Sequence, residues 1–424
     1  MEVVVSTDKK RDLFDKCESF KRHKVAQEHG VYPFFRPLDD SEGSRVMIEN
    51  KPRIMLGSNN YLGLTHHPEV IAAAKEALDR FGTGCTGSRM LNGTLNLHNE
   101  LEEELATFLG KEAVLLWSTG FMSNSGSVGS LCTRKDIIFA DREDHASLID
   151  GFVLSQARLV RFKHNDMADL ERKLEMNKDH AGGKLLAVDG VYSMTGELAP
   201  VDQIVALGRK YGCRILVDEA HAIGTIGPQG RGSVAHFGMT DHVDLVTGTF
   251  SKTFASMGGF IGCPQEVKEY LMHNSRQFMY TASFTPSIAA TVLTALRIMR
   301  TQPELVEQCR SNALWMRSEL ERMGFNCLAS NTAVVPIVIG SVAQMLWFNK
   351  RIYEEGVFAN PVLPPAVPTN ACLVRTSYMA THNRADLQEA LDIFEKVGHE
   401  IGVIGPNKEL MADHWKMMAS SVGI

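Results

Sequence analysis

The chain has 424 residues, 44% hydrophobic and 22% charged, enough for a large core and for two or three domains. A formal net charge of −6 argues against a general nucleic-acid surface, while leaving room for a local basic patch facing an anionic substrate. Eight scattered cysteines with no CxxC or Cys/His metal spacing predict reduced thiols, a cytoplasmic setting and no metal centre.

The N-terminal MEVVVSTDKKRDLFDK is too polar for a signal peptide, and no stretch approaches the roughly 20 apolar residues of a membrane helix. Residues 1 to about 50 read as a helical arm followed by the proline-containing extended stretch VYPFFRPLDD (31–40). GTGCTGSRMLNG (82–93) reads as a glycine-rich loop between two helices, with Cys85 structural because no activating histidine stands near it in sequence. From about 65 to 300, short apolar runs alternate with helical patterns. AVLLW (113–117), DIIFA (136–140), KLLAVDG (184–190) and RILVDEA (214–220) read as buried strands, and HASLIDGFVLSQ (145–156) as a helix. Near-continuous apolar strands separated by helices predict a parallel sheet covered on both faces.

One long helical stretch is expected over about 286–323. Beyond it VVPIVIG (334–340), GVFAN (356–360) and CLVRTSY (372–378) read as strands, with helices from AQMLWFNKRIYEEG and RADLQEALDIFEKVG. Met411, Trp415 and Met418 fall at helical spacing and predict a packed or dimer-contacting terminal helix. The division is then an N-terminal arm with a small-domain segment (1–64), a large α/β domain (65–305) and a small C-terminal α+β domain (306–424).

Ligands of open parallel sheets bind beyond the carboxyl ends of the strands. Three ends carry chemistry. STGFMSNSG (118–126) puts small residues and free backbone N–H groups at a helix start, which suits an anion. DEAHAIG brings Asp218 and His221; no second ligand cluster supports a metal, and Asp218 as a helix N-cap is the alternative. GTFSKT brings Lys252 among the hydroxyls of Thr249 and Ser251, with no GxxxxGK[ST] pattern. A desolvated lysine forms Schiff bases, and pyridoxal 5'-phosphate (PLP) proteins pair that lysine with a carboxylate on the pyridinium nitrogen.

DEAHAIG followed by GTFSKTFASMGG resembles the α-oxoamine synthase family of fold-type I PLP enzymes. The likeness runs through GSNNYLGL (57–64), GTGCTGSRMLNGTLNLHNELEEELA (82–106), STGFMSN, DHASLIDG (144–151), DGVYSMTGELAP (189–200) and VRTSYMATH (374–382). NGTLNLHNELEE, the HND run at 164–166 and NPVLPPAVP (360–368) resemble the bacterial serine palmitoyltransferase branch. The resemblance implies that Lys252 forms the Schiff base and moves the substrate Cα proton, that Asp218 pairs with the pyridine nitrogen, and that His221 bonds the ring 3-hydroxyl. It implies that His145 stacks on the ring and orients the substrate carboxylate, that Ser193 contacts the cofactor, and that Gly120 and Phe121 amides with the Thr249 and Ser251 hydroxyls hold the phosphate. Arg375 is expected to bind the amino-acid carboxylate and Asn59, beside Asn60, to line the substrate entrance. Without the resemblance, His145 reads as a capping or core histidine and Arg375 as a surface residue.

The implied reaction is a decarboxylative condensation of L-serine with a long-chain acyl-CoA, palmitoyl-CoA giving 3-oxosphinganine. The alternative partners are glycine with acetyl-CoA and alanine with pimeloyl-CoA. NPVLPPAVP and VYPFFRP are candidate walls for the acyl chain. A homodimer with its active site near the subunit interface is implied as well. Lys252, Asp218 and His221 are all present, which argues against a catalytically dead partner subunit.

Overall fold

A computed structural model describes residues 12–41 and 43–406, together with Lys408, Met411 and Trp415. Met418 and the first residues of the expected arm lie outside the described residues. Trp415 is buried and donates its indole N–H to the Ile401 carbonyl at 2.9 Å, so this part of the tail packs against the chain.

The expected arm gives two short helices, Asp15–Glu18 and Arg22–Glu28, and then a hairpin that sequence reading missed. Its strands are β1 (Arg45–Ile48) and β2 (Lys51–Met55), joined by Glu49 and Asn50, both at positive φ. Two successive left-handed residues make a tight return whose twist matches the strands, but the usual Asn-Gly signal is absent.

The central sheet contains β3 (Ala113–Trp117), β4 (Ile137–Asp141), β5 (Arg158–Phe162), β6 (Lys184–Asp189), β7 (Arg214–Asp218), β8 (Leu245–Thr249) and β9 (Gly259–Cys263). Their order is β3-β9-β8-β7-β6-β4-β5. The β4–β5, β4–β6, β6–β7 and β7–β8 pairs are parallel, and β9 runs against both neighbours. Apolar cores cover the sheet on both sides, with Phe139, Val188 and Val217 on one face and Ile138, Ala187 and Leu216 on the other. Each fully buried side chain of this size stabilises by roughly 1.5–3 kcal/mol, which is why these strands read as unbroken apolar runs.

The expected helix over 286–323 is two helices, Pro286–Thr301 and Glu304–Arg322. Pro303 stands between them, and a proline ring cannot continue a preceding helix. Beyond lie β10 (Val334–Gly340), β11 (Val357–Phe358), β12 (Asn360–Val362) and β13 (Cys372–Ser377). The expected GVFAN strand is divided: β11 pairs with β2, while β12 pairs with β13 beside β10. Buried Ala359 lies at the switch, its carbonyl accepting from Asn349 Nδ2 at 3.0 Å. Ile54 and Leu56 thus share a core with Ile337, Phe348 and Phe394. The architecture is a mostly parallel seven-stranded sheet beside a smaller α+β unit.

Candidate active site

The carboxyl ends of β3, β4, β6, β7 and β8 face one edge of the central sheet. After β3, Thr119 caps the helix Gly120–Leu131, its side chain accepting from Met122 N at 3.1 Å. The N–H groups of Gly120 and Phe121 occupy the first turn, where no intrahelical acceptor exists and the helix end is positive. β9 approaches this turn closely, for a Cβ at Gly259 would lie 2.5 Å from Gly120 Cα and one at Gly120 2.6 Å from Thr249 Oγ1. Thr249 and Ser251 hydroxyls, 2.9 Å apart, complete a group of donors suited to a phosphate.

β7 ends at buried Asp218, which accepts from Asn124 Nδ2 at 2.6 Å and Ala220 N at 2.9 Å. In the neighbouring register position on β6 is Asp189, whose carboxyl is pushed well above the usual range by burial and by Asp218. Asn124 also donates to Ser147 Oγ at 2.9 Å, and that hydroxyl lies 2.7 Å from His145 Nδ1. A hydroxyl has one proton; having accepted from Asn124, it donates to His145. Ser147 N donates to the same nitrogen at 3.2 Å, so Nδ1 is an acceptor and the ring proton sits on Nε2. The His145 ring is open to the cavity on one side, and protein packed around the other lowers its pKa.

Lys252 is half-buried, and its side chain makes no hydrogen bond or ion pair among the described residues. Burial pulls its pKa down to about 8; Asp218 and Asp189 oppose that shift and Arg375 adds to it. Relative to the ordinary 10.5 this is on the order of 3 kcal/mol in favour of the neutral amine. His221 is buried and pushed well below its usual range by burial, then by Lys252 and Arg375, and is therefore neutral.

These groups line one cavity of about 380 Å³: Gly120, Phe121, His145, Asp218, His221, Thr249, Ser251 and Lys252 all border it. Ser193, Asn59 and Arg375 do not, and form an adjoining cluster instead. Buried Arg375 on β13 donates to Asn59 Oδ1 at 3.0 Å, Ser377 Oγ at 3.1 Å and the Ser193 carbonyl. Asn60 turns elsewhere, donating to Thr65 Oγ1 at 2.8 Å, so Asn59 is the one beside the arginine. Tyr61 joins the groups, its hydroxyl 2.7 Å from His221 Nδ1 and 3.5 Å from Arg375 Nη2. Neither VYPFFRP nor NPVLPPAVP borders the cavity. Cys85 is half-buried with its thiol pKa raised by burial, in keeping with a structural role. Among the described residues no cluster of His, Cys, Asp and Glu is built to hold a metal.

Asn124, Ser147, Asp189 and Tyr61 escaped sequence reading. Asn124 lies one helical turn after Gly120, and Tyr61 two residues after Asn59, so their spacing held a signal. A larger groove, about 730 Å³, lies between the helices Pro68–Phe81, Asn96–Leu109 and Pro286–Thr301, with no convergence of reactive groups.

The residues fit PLP: helix-start amides and hydroxyls at one end, a carboxylate at the other, and an unpartnered amine between. The family model described as aminotransferase class I and II matches residues 51–394. A serine palmitoyltransferase of Bacteriovorax stolpii is 44% identical over 381 residues, covering 90% of this chain and 91% of that protein. An 8-amino-7-oxononanoate synthase of Geobacter sulfurreducens is 40% identical over 381 residues, covering 89% and 97%. A solved serine palmitoyltransferase variant of S. paucimobilis carrying a PLP–myriocin aldimine superposes with a TM-score of 0.89 at 36% identity, covering 93% of this chain and 100% of that one. The chain therefore belongs to the aminotransferase class I and II family, in its α-oxoamine synthase branch, and is a PLP-dependent acyltransferase.

Proposed function

We propose that the protein condenses L-serine with a long-chain acyl-CoA, palmitoyl-CoA in the reference case, releasing CoA and CO2 and forming 3-oxosphinganine. The observation that carries this reading is the 44% identity to serine palmitoyltransferase over 90% of the chain, together with a cavity bordered by the cofactor-binding set and an adjoining cluster around Arg375. PLP supplies an electron-withdrawing ring that stabilises negative charge at the amino acid's Cα.

The chain does the rest. Gly120 and Phe121 amides, with Thr249 and Ser251, hold the phosphate. Asp218, fixed by Asn124, keeps a proton on the pyridine nitrogen. Neutral His221, held by Tyr61, offers its free nitrogen to the ring oxygen. Lys252 would hold the cofactor through its aldehyde group, and its amine would carry the proton at the amino acid's Cα. His145, at the cavity with its proton on Nε2, would lie over the ring and offer that N–H to the substrate. Arg375 binds the carboxylate through two parallel N–H groups, aided by Asn59. Ser193 acts through its carbonyl on Arg375 and sets the direction of that fork.

Lys252 must be neutral to attack an aldehyde. The neutral fraction grows as pH rises through about 8, so the rate of PLP capture by the apoprotein rises across that pH and then levels. Borohydride trapping at a series of pH values measures it. A rate that is flat from about pH 6.5 to about 9.5 would contradict a depressed lysine pKa.

A homodimer and a cytoplasmic setting belong to the same proposal. The glycine-rich segment is tied to Ser283, whose N–H donates to Gly87 O at 2.9 Å, and it exposes Leu91, an apolar side chain suited to a second subunit. All eight cysteines are free, and no helix among the described residues is long and apolar enough to cross a membrane.

The 44% and 40% identities make the substrate pair the point to test. Thiol release is measured with palmitoyl-CoA and acetyl-CoA, each with serine, glycine or alanine, and the products are weighed. Release with serine and palmitoyl-CoA, with the mass of 3-oxosphinganine, is expected. Release confined to glycine with acetyl-CoA would overturn the substrate assignment and leave the residue roles standing.

A further inference from the structure

The HND run at 164–166 follows β5 and takes no part in the site described above. Asp166 caps the next helix, accepting from Asp169 N at 2.9 Å. His164 stands between two carboxylates, with Nδ1 2.9 Å from Asp141 Oδ1 and Nε2 2.9 Å from Glu197 Oε2. A neutral imidazole carries a single N–H, and an ionised carboxylate only accepts. Both contacts are hydrogen bonds only when the ring is doubly protonated.

The two carboxylates belong to different elements. Asp141 is the fully buried last residue of β4, and its other oxygen accepts from Asn165 N at 2.9 Å. Glu197 lies on the return strand of a small hairpin, in which Val191 pairs with Leu198 and Tyr192 N donates to Glu197 O at 3.0 Å. The ring of Tyr192 meets His164 edge-on at 4.3 Å. The tip of this hairpin rests on the C-terminal unit: Thr332 Oγ1 donates to Gly196 O at 2.9 Å. Gly196, at φ 67°, leaves no room for a side chain, since a Cβ there would lie 2.2 Å from Val334 O. On the same hairpin, the Ser193 carbonyl receives Arg375 Nε.

We propose that His164 is a positioning residue for Arg375: it clamps hairpin 191–198 to the end of β4, and the hairpin fixes the guanidinium. This rests on the carboxylate-binding role given to Arg375 above. The groups facing the ring are acidic on every side, Asp141 and Glu143 from the β4 end and Glu197 from the hairpin, with Tyr192 against its face. Burial opposes charge on the ring, and the bonds to Asp141 and Glu197 outweigh it, raising its pKa to about 10. Glu197 is lowered in turn, chiefly by its bond to His164. The clamp is thus closed throughout the neutral range.

The test compares five holoenzymes: wild type, Glu197→Gln, His164→Gln, Arg375→Ala and the Glu197→Gln/Arg375→Ala double variant. L-serine binding is followed by the change in cofactor absorbance, alongside kcat, the KM for palmitoyl-CoA and the melting temperature. Glu197→Gln is expected to weaken serine about tenfold while kcat and the acyl-CoA KM stay within about twofold. In the Arg375→Ala background the same change is expected to shift serine affinity by less than about twofold, because the two act in series. His164→Gln is expected to match Glu197→Gln. A merely structural role would weaken serine equally in both backgrounds and lower kcat, and that result would overturn the proposal. Unchanged serine affinity in both clamp variants would overturn it too. If Arg375→Ala itself leaves amino-acid affinity intact, the clamp and the role of Arg375 fall together. If the wild type binds glycine or alanine in place of serine, the substrate assignment fails, and the same comparison with that amino acid decides the clamp.

Discussion

Replacing Lys252 with alanine is expected to lower turnover by about 10³-fold or more, the range over which a positioned nucleophile and proton carrier acts. The purified variant should also lose the absorbance of covalently held cofactor. Among the described residues no other amine borders the cavity. Lys252 is the lysine that borders the cavity, and the next one along the chain, Lys268, is engaged with Glu102 at 2.8 Å. Loss of activity by unfolding would be a different matter, and the energetics separate the two. The depressed pKa of Lys252 reflects a net cost, on the order of 3 kcal/mol, of holding its charged form in this site. Truncating the side chain removes that cost and breaks no hydrogen bond, so the melting temperature of the apoprotein should hold or rise. Wild-type turnover in this variant would sink the mechanism. Lost turnover with a collapsed melting temperature would remove the inference from this variant to chemistry.

Arg375→Ala is expected to raise the amino-acid KM by about 10- to 100-fold, the worth of a charged two-pronged hydrogen bond, with cofactor affinity little changed. Arg375→Lys should fall between, because an ammonium keeps the charge and loses the fork. A second reading comes free from the same protein. Arg375 helps to depress the Lys252 pKa. Without that cation the ammonium form of Lys252 is less disfavoured, its pKa rises, and the rise in PLP capture should move to higher pH. An unaltered amino-acid KM, with the capture profile unmoved, would show that Arg375 faces neither substrate nor lysine.

How much of this was legible beforehand depended on what kind of physics each element uses. β3, β4, β6 and β7 are buried on both faces, so burial writes itself into the sequence as AVLLW, DIIFA, KLLAVD and RILVD. β5 is an edge strand with most of its residues exposed, and β9 (GFIGC) carries two glycines, so neither shows a strong strand pattern. The β1–β2 hairpin turns on Glu49 and Asn50; Asn50 suits a left-handed position, but Glu49 does not and no glycine follows. The site divides the same way. Asp218, His221, Thr249, Ser251 and Lys252 follow strand ends and were found by topology. Asn124 and Tyr61 act across 94 and 160 residues of sequence, on Asp218 and His221, and only folding brings them together. The GVFAN stretch is apolar throughout, yet its two halves serve different sheets, a choice made by the partners β2 and β13 and not by the stretch itself.

The return from β8 to β9 has a thermodynamic side. A crossover helix would carry Lys252 away from the sheet on a long excursion. Here residues 250–258 leave Thr249 and come back to Gly259, which is its register partner in the ladder. Both ends of the lysine's segment are thus tied to one rung, and the loop they close is short. Short closure leaves little configurational entropy to be gained by local opening. The segment can loosen substantially only if β8 and β9 part, and those strands lie in the interior of the seven-stranded sheet. The amine is therefore seated beside interior strands, whose amide protons are expected to be among the slowest to exchange.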